Sequence, residues 1–321
     1  MDKRGLLLKF IDYFMLGLLY LCKALTYVLP VRVLYGLFGV IGSAVYHARP
    51  GMKRNLKAKI RDAMPEITDA REIERIGRGA CTSMVLPVLE GLLYWRHSDA
   101  IMRELQVEGM ENFDKADAEG KGVVVFSIHT PLTVMQCHMV MARLGKSYTV
   151  IVWDPGRLPV PHYAGKMADL MMERPPIPAH PAIFCGHGYD AIKPMGEHVA
   201  GGGRLGLVVD VPGKCVVPLF GRPAAIADGV ARLALAYGTP MVPVSMRPLG
   251  PGLAKKITIY EPIHCERTGD DRGDVIAAME KAALAGEKMV REAPEQWMCW
   301  FGLWHWWDRA KELQEKRKES S

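Results

Sequence analysis

Residues 5–29 and 31–47 form two nearly continuous apolar runs separated by Pro30. From Arg49 to about Leu105 the apolar positions recur every three or four residues, the spacing of helices with one buried face. From about Val107 to Cys265 short apolar or β-branched runs alternate with helical stretches, and this alternation predicts an α/β layered fold. The expected strands are Gly122–His129, Tyr148–Trp153, Leu205–Asp210, Met241–Met246 and Ile257–Tyr260, each bounded by Gly, Pro or charge. Gly229–Tyr237 and residues 270–292 read as helices. Residues 154–188, with seven prolines, read as a long loop.

The organising stretch is Gly122-Val-Val-Val-Phe-Ser-Ile-His129-Thr-Pro-Leu-Thr-Val134. Its uninterrupted apolar run suits a strand buried on both faces. Thr130 is a good N-cap and Pro131 sits where a helix tolerates it, so a helix should run to about Leu144 and stop at Gly145. His129 is thereby expected at a strand end and a helix mouth, where open α/β sheets hold ligands. A lone histidine there is equally consistent with a structural residue bonded to nearby backbone.

The N-terminal runs change the picture of where the protein works. Lys9, Asp12 and Lys23 interrupt the first, which favours a helix or helical hairpin dipping into a leaflet over a clean span. Formal net charge is +6, and Arg49, Lys53, Arg54, Lys57, Lys59 and Arg61 follow the apolar start directly. Such a collar is attracted to anionic lipid head groups. No recognition module accompanies the charge, so nucleic acid is not the expected partner. Seven dispersed cysteines without a Cys-x-x-Cys pair fit a reducing compartment, with neither disulfide nor structural metal expected. Five of the seven tryptophans fall in Pro294–Trp307, a density that suits core packing and a membrane interface equally.

Further motifs carry a resemblance. Gly203-Arg-Leu-Gly-Leu-Val-Val-Asp210, Val217-Pro-Leu-Phe-Gly-Arg-Pro-Ala224, Gly238-Thr-Pro-Met-Val-Pro-Val244 and Pro294-Glu-Gln-Trp297 follow the strand that ends in His129. Together with the apolar start, the chain resembles the lauroyl/myristoyl acyltransferases of lipid A biosynthesis, within the lysophospholipid acyltransferase superfamily. The resemblance implies a layered α/β sheet domain of the glycerolipid acyltransferase type with N-terminal membrane-associated helices. It divides the chain into membrane-anchoring helices (1–48), a helical scaffold (49–105), the α/β acyltransferase domain (106–265) and a C-terminal helical segment with the Trp-rich stretch (266–321).

The implied reaction moves an acyl chain from an acyl carrier protein or coenzyme A thioester, as co-substrate and without a cofactor, to a hydroxyl or amine of a membrane lipid or amphipathic acceptor. The implied location is the cytoplasmic face of a bacterial inner membrane. His129 would be the general base, and amides at the Pro131 helix start or a nearby Arg would stabilise the oxyanion. Phe220, Gly221, Arg222 and Arg247 become substrate-binding candidates. Arg222 suits a phosphate and Gly221 a tight turn, while Arg204 and Lys214 are candidate docking charges for an acidic carrier. In one respect the chain departs from the family, which carries a carboxylate five residues after the histidine where this chain has Val134. Asp210 or Asp154 could approach from a neighbouring strand, Thr133 or Thr130 could hold the ring through a neutral hydrogen bond, or the protein could be a non-catalytic acyl-binding subunit.

Overall fold

A computed structural model describes residues 3–172, 182–185 and 191–319. The strands are β1 (Gln106–Glu108), β2 (Val123–Ser127), β3 (Thr149–Trp153), β4 (Ala182–Cys185), β5 (Arg204–Val208), β6 (Pro212–Leu219), β7 (Arg222–Ile226), β8 (Met241–Pro248) and β9 (Lys255–Ile259). Seven of them form one sheet in the order β1-β9-β8-β2-β5-β3-β4. From β8 to β4 every pairing is parallel, and β9 runs antiparallel to β8. β6 and β7 form a separate antiparallel hairpin.

β2 lies at the centre with all five residues buried. Alternate side chains of a strand point to opposite faces, so a central strand covered on both sides needs apolar residues throughout. Val124, Phe126 and Ile128 join one core with the helices Gly229–Tyr237 and Asp271–Glu292 and the C-terminal tryptophans. Val123 and Val125 join the other, under the helices Met110–Ala118 and His138–Arg143. Ser127 and His129 therefore share the second face with Val125.

The N-terminal region is helical throughout: Lys3–Val28, Val31–Ala48, Pro50–Ala63, Ala70–Ser83 and Leu86–Arg103. The first two are long and apolar enough to cross a membrane. Leu6, Leu7, Phe10, Phe14, Leu18 and Leu21 stand exposed on the first. Its opposite side carries Asp12, buried, whose carboxylate accepts the backbone N–H groups of His162 and Tyr163 and pairs with the His162 ring at 2.8 Å. One of the charges that interrupts the apolar run thus caps a helix of the sheet domain. Asp69 caps the fourth helix through the Arg71 amide. That helix ends at Ser83, and the chain bends by 62° into Leu86–Arg103.

The expected loop over 154–188 is corrected in its described part, which holds the helix Pro161–Met172 and β4; residues 173–181 and 186–190 lie outside the described residues. Pro161 occupies the first helical position, where a missing N–H costs nothing. The tryptophans resolve as core packing: Trp297, Trp300, Trp306 and Trp307 are all buried.

Candidate active site

The β2–β5 register aligns Val123 with Arg204 and Ser127 with Val208. Two residues further on, the same register sets Asp210 opposite His129, and the Val209 amide still bonds to the Ser127 carbonyl. Asp210 Oδ1 lies 2.8 Å from His129 Nδ1, and Oδ2 accepts the His129 backbone N–H, also at 2.8 Å. The acid that Val134 does not supply therefore comes from the neighbouring strand. An ionised carboxylate only accepts, so Nδ1 carries the proton and Nε2 is left with a free lone pair.

Three consecutive residues of the C-terminal segment hold this pair. Trp297 donates its indole N–H to Asp210 Oδ2 at 2.8 Å, the Met298 amide donates to the His129 carbonyl at 3.0 Å, and the Cys299 thiol donates to the Asp210 carbonyl at 3.6 Å. Asp210 is buried, while the His129 side chain keeps 31% of its surface accessible. Burial alone would raise the Asp210 pKa, but the imidazole charge and the hydrogen bonds from His129 and Trp297 leave it below the usual 3.8. Burial alone would lower that of His129, but the Asp210 charge and hydrogen bond outweigh it and hold the ring above 6.5.

His129, Asp210 and Cys299 are also close enough together to be considered for a metal ion. The donor set does not fit one. Both carboxylate oxygens already receive N–H donors, and the Cys299 thiol is engaged with the Asp210 carbonyl.

Thr130 caps the helix that follows His129: its hydroxyl accepts the Thr133 amide at 3.1 Å and lies 2.9 Å from the Thr133 hydroxyl. The Thr133 hydroxyl also meets Ser127 at 3.3 Å, so it orders the turn beside the histidine and takes no place in the His129–Asp210 contact. Residues Thr133–Cys137 form a π-helical turn, a feature frequent at functional sites. Asp154 belongs to its own loop, where it accepts the Gly156 amide and pairs with Arg157.

From His129 a cavity of about 960 Å³ opens beneath the sheet. Its wall is overwhelmingly apolar, built from β2, β3, β4 and β5, the π-turn and the helix Pro161–Met172. Val134 lines it, and no Lys or Arg among the described residues does. Met135, Met139 and Met141 are buried in the cores instead.

The candidate binding arginines lie away from the cavity. Arg204 starts β5, at the opposite end of the strand from Asp210, and is held bidentately by Asp117 at 2.7 and 2.6 Å. Arg222 lies over the Trp307 ring at 4.1 Å and pairs with Asp62 at 3.5 Å. Arg247 faces β9 opposite Lys256. Phe220 and Gly221, both at positive φ, make the two-residue turn of the β6–β7 hairpin. The Phe220 ring is buried against Trp297 and Trp300, with centroids at 5.6 and 6.2 Å. The Phe-Gly-Arg-Pro-Ala block thus backs the tryptophan that holds Asp210 and does not line the cavity.

Sequence reasoning missed Trp297 as part of the site. Its signal was the Pro294-Glu-Gln-Trp297 block, in which the proline starts a short 3₁₀ turn that places the indole.

A buried histidine–aspartate pair at the C-terminal edge of a parallel sheet, opening on a long apolar cavity, suits transfer chemistry on a fatty chain. Residues 187–305 match the family model described as bacterial lipid A biosynthesis acyltransferase, a segment that includes Asp210, the Phe220 turn and Trp297. The match covers little more than a third of the chain and supports acyl transfer as its chemistry. No curated protein matches the chain. Among solved structures, the 1-acyl-sn-glycerophosphate acyltransferase of Thermotoga maritima aligns with a TM-score of 0.33 at 14% identity, covering 79% of this chain and 95% of that one.

Proposed function

We propose that the protein transfers a fatty-acyl chain from an acyl carrier protein or coenzyme A thioester to a hydroxyl or amine of a membrane-associated acceptor, at the cytoplasmic face of a bacterial inner membrane. The observation that carries this reading is the 2.8 Å contact between His129 Nδ1 and Asp210, which leaves Nε2 as the base on a ring that lines the apolar cavity.

In the forward step Nε2 takes the proton of the acceptor O–H or N–H as its heavy atom bonds to the thioester carbonyl carbon. The carbonyl π pair moves to oxygen, and the imidazolium that forms is stabilised by Asp210. Collapse of the tetrahedral intermediate restores the carbonyl and breaks the carbon–sulfur bond. The proton on Nε2 then passes to the departing thiolate, which returns the enzyme to its starting state. At the start of the helix after His129, Pro131 has no N–H and the Thr133 and Val134 amides bond to Thr130, so the Leu132 amide is the donor suited to the oxyanion there.

A methylene occupies roughly the 30 Å³ of a water molecule in the liquid, so a twelve-carbon chain fills only about 360 Å³. The remaining cavity has room for an acceptor that is itself apolar. The exposed apolar faces of the first two helices support delivery from a bilayer, because a patch of that size on a soluble protein would be left unpartnered.

Purified full-length protein, incubated with acyl carrier and coenzyme A thioesters and a panel of lipid-like alcohols and amines, is expected to give an acylated product by mass spectrometry. His129→Ala is expected to abolish it; equal product from the mutant removes the base assignment.

A further inference from the structure

With the thioester carbonyl at His129, as proposed above, the acyl chain must run inward along the sheet face shared by His129, Ser127 and Val125. The deepest strand level that lines the cavity is that of Val125, Gly206 and Val150, and Tyr148 and Cys137 line the cavity with them. One layer deeper, Val123, Phe113, Val140 and Met141 are fully buried and close the core. The cavity therefore stops at the level of Gly206, which is paired with Val125 on β2 and Val150 on β3.

What fills that level is the ring of Tyr148. A Cβ on Gly206 would overlap the ring, so glycine is required for the phenol to lie flat on β5. The Tyr148 hydroxyl lies beside Cys137, both residues being buried. An aromatic ring seated flat on the backbone and enclosed by buried neighbours is a fixed stop.

We propose that Tyr148, seated on Gly206, is the specificity-determining floor of the acyl cavity and sets an upper limit on donor chain length. Val125 and His129 are four residues apart on an extended segment, about 13 Å. An all-trans alkyl chain advances roughly 1.2 Å per bond, as an extended backbone does over its three bonds per residue, so the floor admits an acyl group of about ten to twelve carbons.

The test is a competition among saturated acyl thioesters of increasing length on one carrier, with full-length enzyme and product chain length read by mass spectrometry. Wild type is expected to fall off steeply past the limit, since one methylene too many in an apolar pocket is worth on the order of 10-fold or more. Tyr148→Ala is expected to move the optimum to longer chains, raising the long-to-short kcat/KM ratio at least about 10-fold. Val125→Phe, which adds bulk at the same level from β2, is expected to move it to shorter chains and serves if Tyr148→Ala does not fold. Tyr148→Phe, which keeps the ring, is expected to keep the length profile.

His129-dependent turnover with the same profile in the Tyr148→Ala and Val125→Phe enzymes would overturn the floor while sparing the base. Turnover that survives His129→Ala, with a profile that still moves with Tyr148, would overturn the base and support the floor.

Discussion

Asp210→Asn keeps the shape of a buried side chain and removes its charge. Asp210 receives three N–H donors: the His129 ring and amide and the Trp297 indole. An asparagine has one acceptor oxygen. If that oxygen faces the two donors at the Oδ2 position, the amide N–H₂ points at His129 Nδ1 and forces it to accept, which moves the ring proton to Nε2. The lone pair that should take the acceptor's proton is then gone. If the oxygen faces Nδ1 instead, two buried donors meet an N–H₂ group, at about 1–3 kcal/mol for each unsatisfied group.

The first arrangement is thus favoured, and the loss in kcat is expected to be on the order of 10⁴-fold, the scale of a wrong tautomer in a triad. The pH profile should move as well. Asp210 holds the His129 pKa above 6.5 against burial, and the base works only when neutral, so wild-type kcat/KM should rise with pH to a midpoint above 6.5. In Asp210→Asn the burial effect acts alone, and residual activity should have its acid limb below 6.5. The assay is thiol release from an acyl thioester, followed across pH. A mutant within about 10-fold of wild type with the same acid limb would refute the tautomer argument.

Trp297→Phe removes one charge-assisted hydrogen bond from Asp210, an interaction of about 1.5–3 kcal/mol, and should lower kcat/KM roughly 10-fold or more with little change in acceptor KM; an unchanged kcat would assign the indole to packing alone. Val134→Asp in the Asp210→Asn background should not restore turnover, because residue 134 packs by Leu19, Leu92 and Met135 and not against Nδ1; recovery of wild-type rate would contradict this. Lys255, fully buried, pairs with Glu90 at 3.3 Å and donates to the Tyr35 hydroxyl at 2.6 Å. Lys255→Met should cost about 3–5 kcal/mol in denaturant unfolding by stranding Glu90, and Lys255→Met with Glu90→Leu should recover part of it; additive losses would show that the two charges are not coupled. The raised His129 pKa stabilises the fold fully below about 6.5 and fades as pH rises through its folded value, whereas the lowered Asp210 pKa stabilises above about 3.8 and fades as pH falls through its own. The pH dependence of Tm, with Asp210→Asn beside wild type, should show both contributions disappear together.

The elements whose signal is local were legible. An unbroken Val-Val-Val-Phe run marked the central strand, the helix over residues 270–292 was read within a residue of its ends, and His129 was placed by the strand before it and the Thr130-Pro131 helix start after it. The choice among Asp210, Asp154 and Thr133 was not legible, because it depends on strand order. β5 lies beside β2 and β3 lies beyond it, an arrangement made by crossovers that leave no local mark. The helix Pro161–Met172 was hidden by its prolines, although Tyr163, Met167 and Leu170 carry a helical spacing. The surroundings of the arginines were not legible, because guanidinium chemistry suits a phosphate and a structural carboxylate alike; only the fold shows Arg204 at the opposite end of its strand from Asp210, paired with Asp117.

Catalysis by His129 turns on a carboxylate that reaches it from the adjacent strand and fixes its tautomer. Nitrogen-15 NMR of the histidine rings reads this directly, with His129→Gln identifying the resonance. The expected result is a protonated Nδ1 in a hydrogen bond to a carboxylate, an Nε2 that loses its proton with a pKa above 6.5, and a pKa that falls in Asp210→Asn. A His129 ring carrying its proton on Nε2, with a pKa indifferent to Asp210, would contradict it.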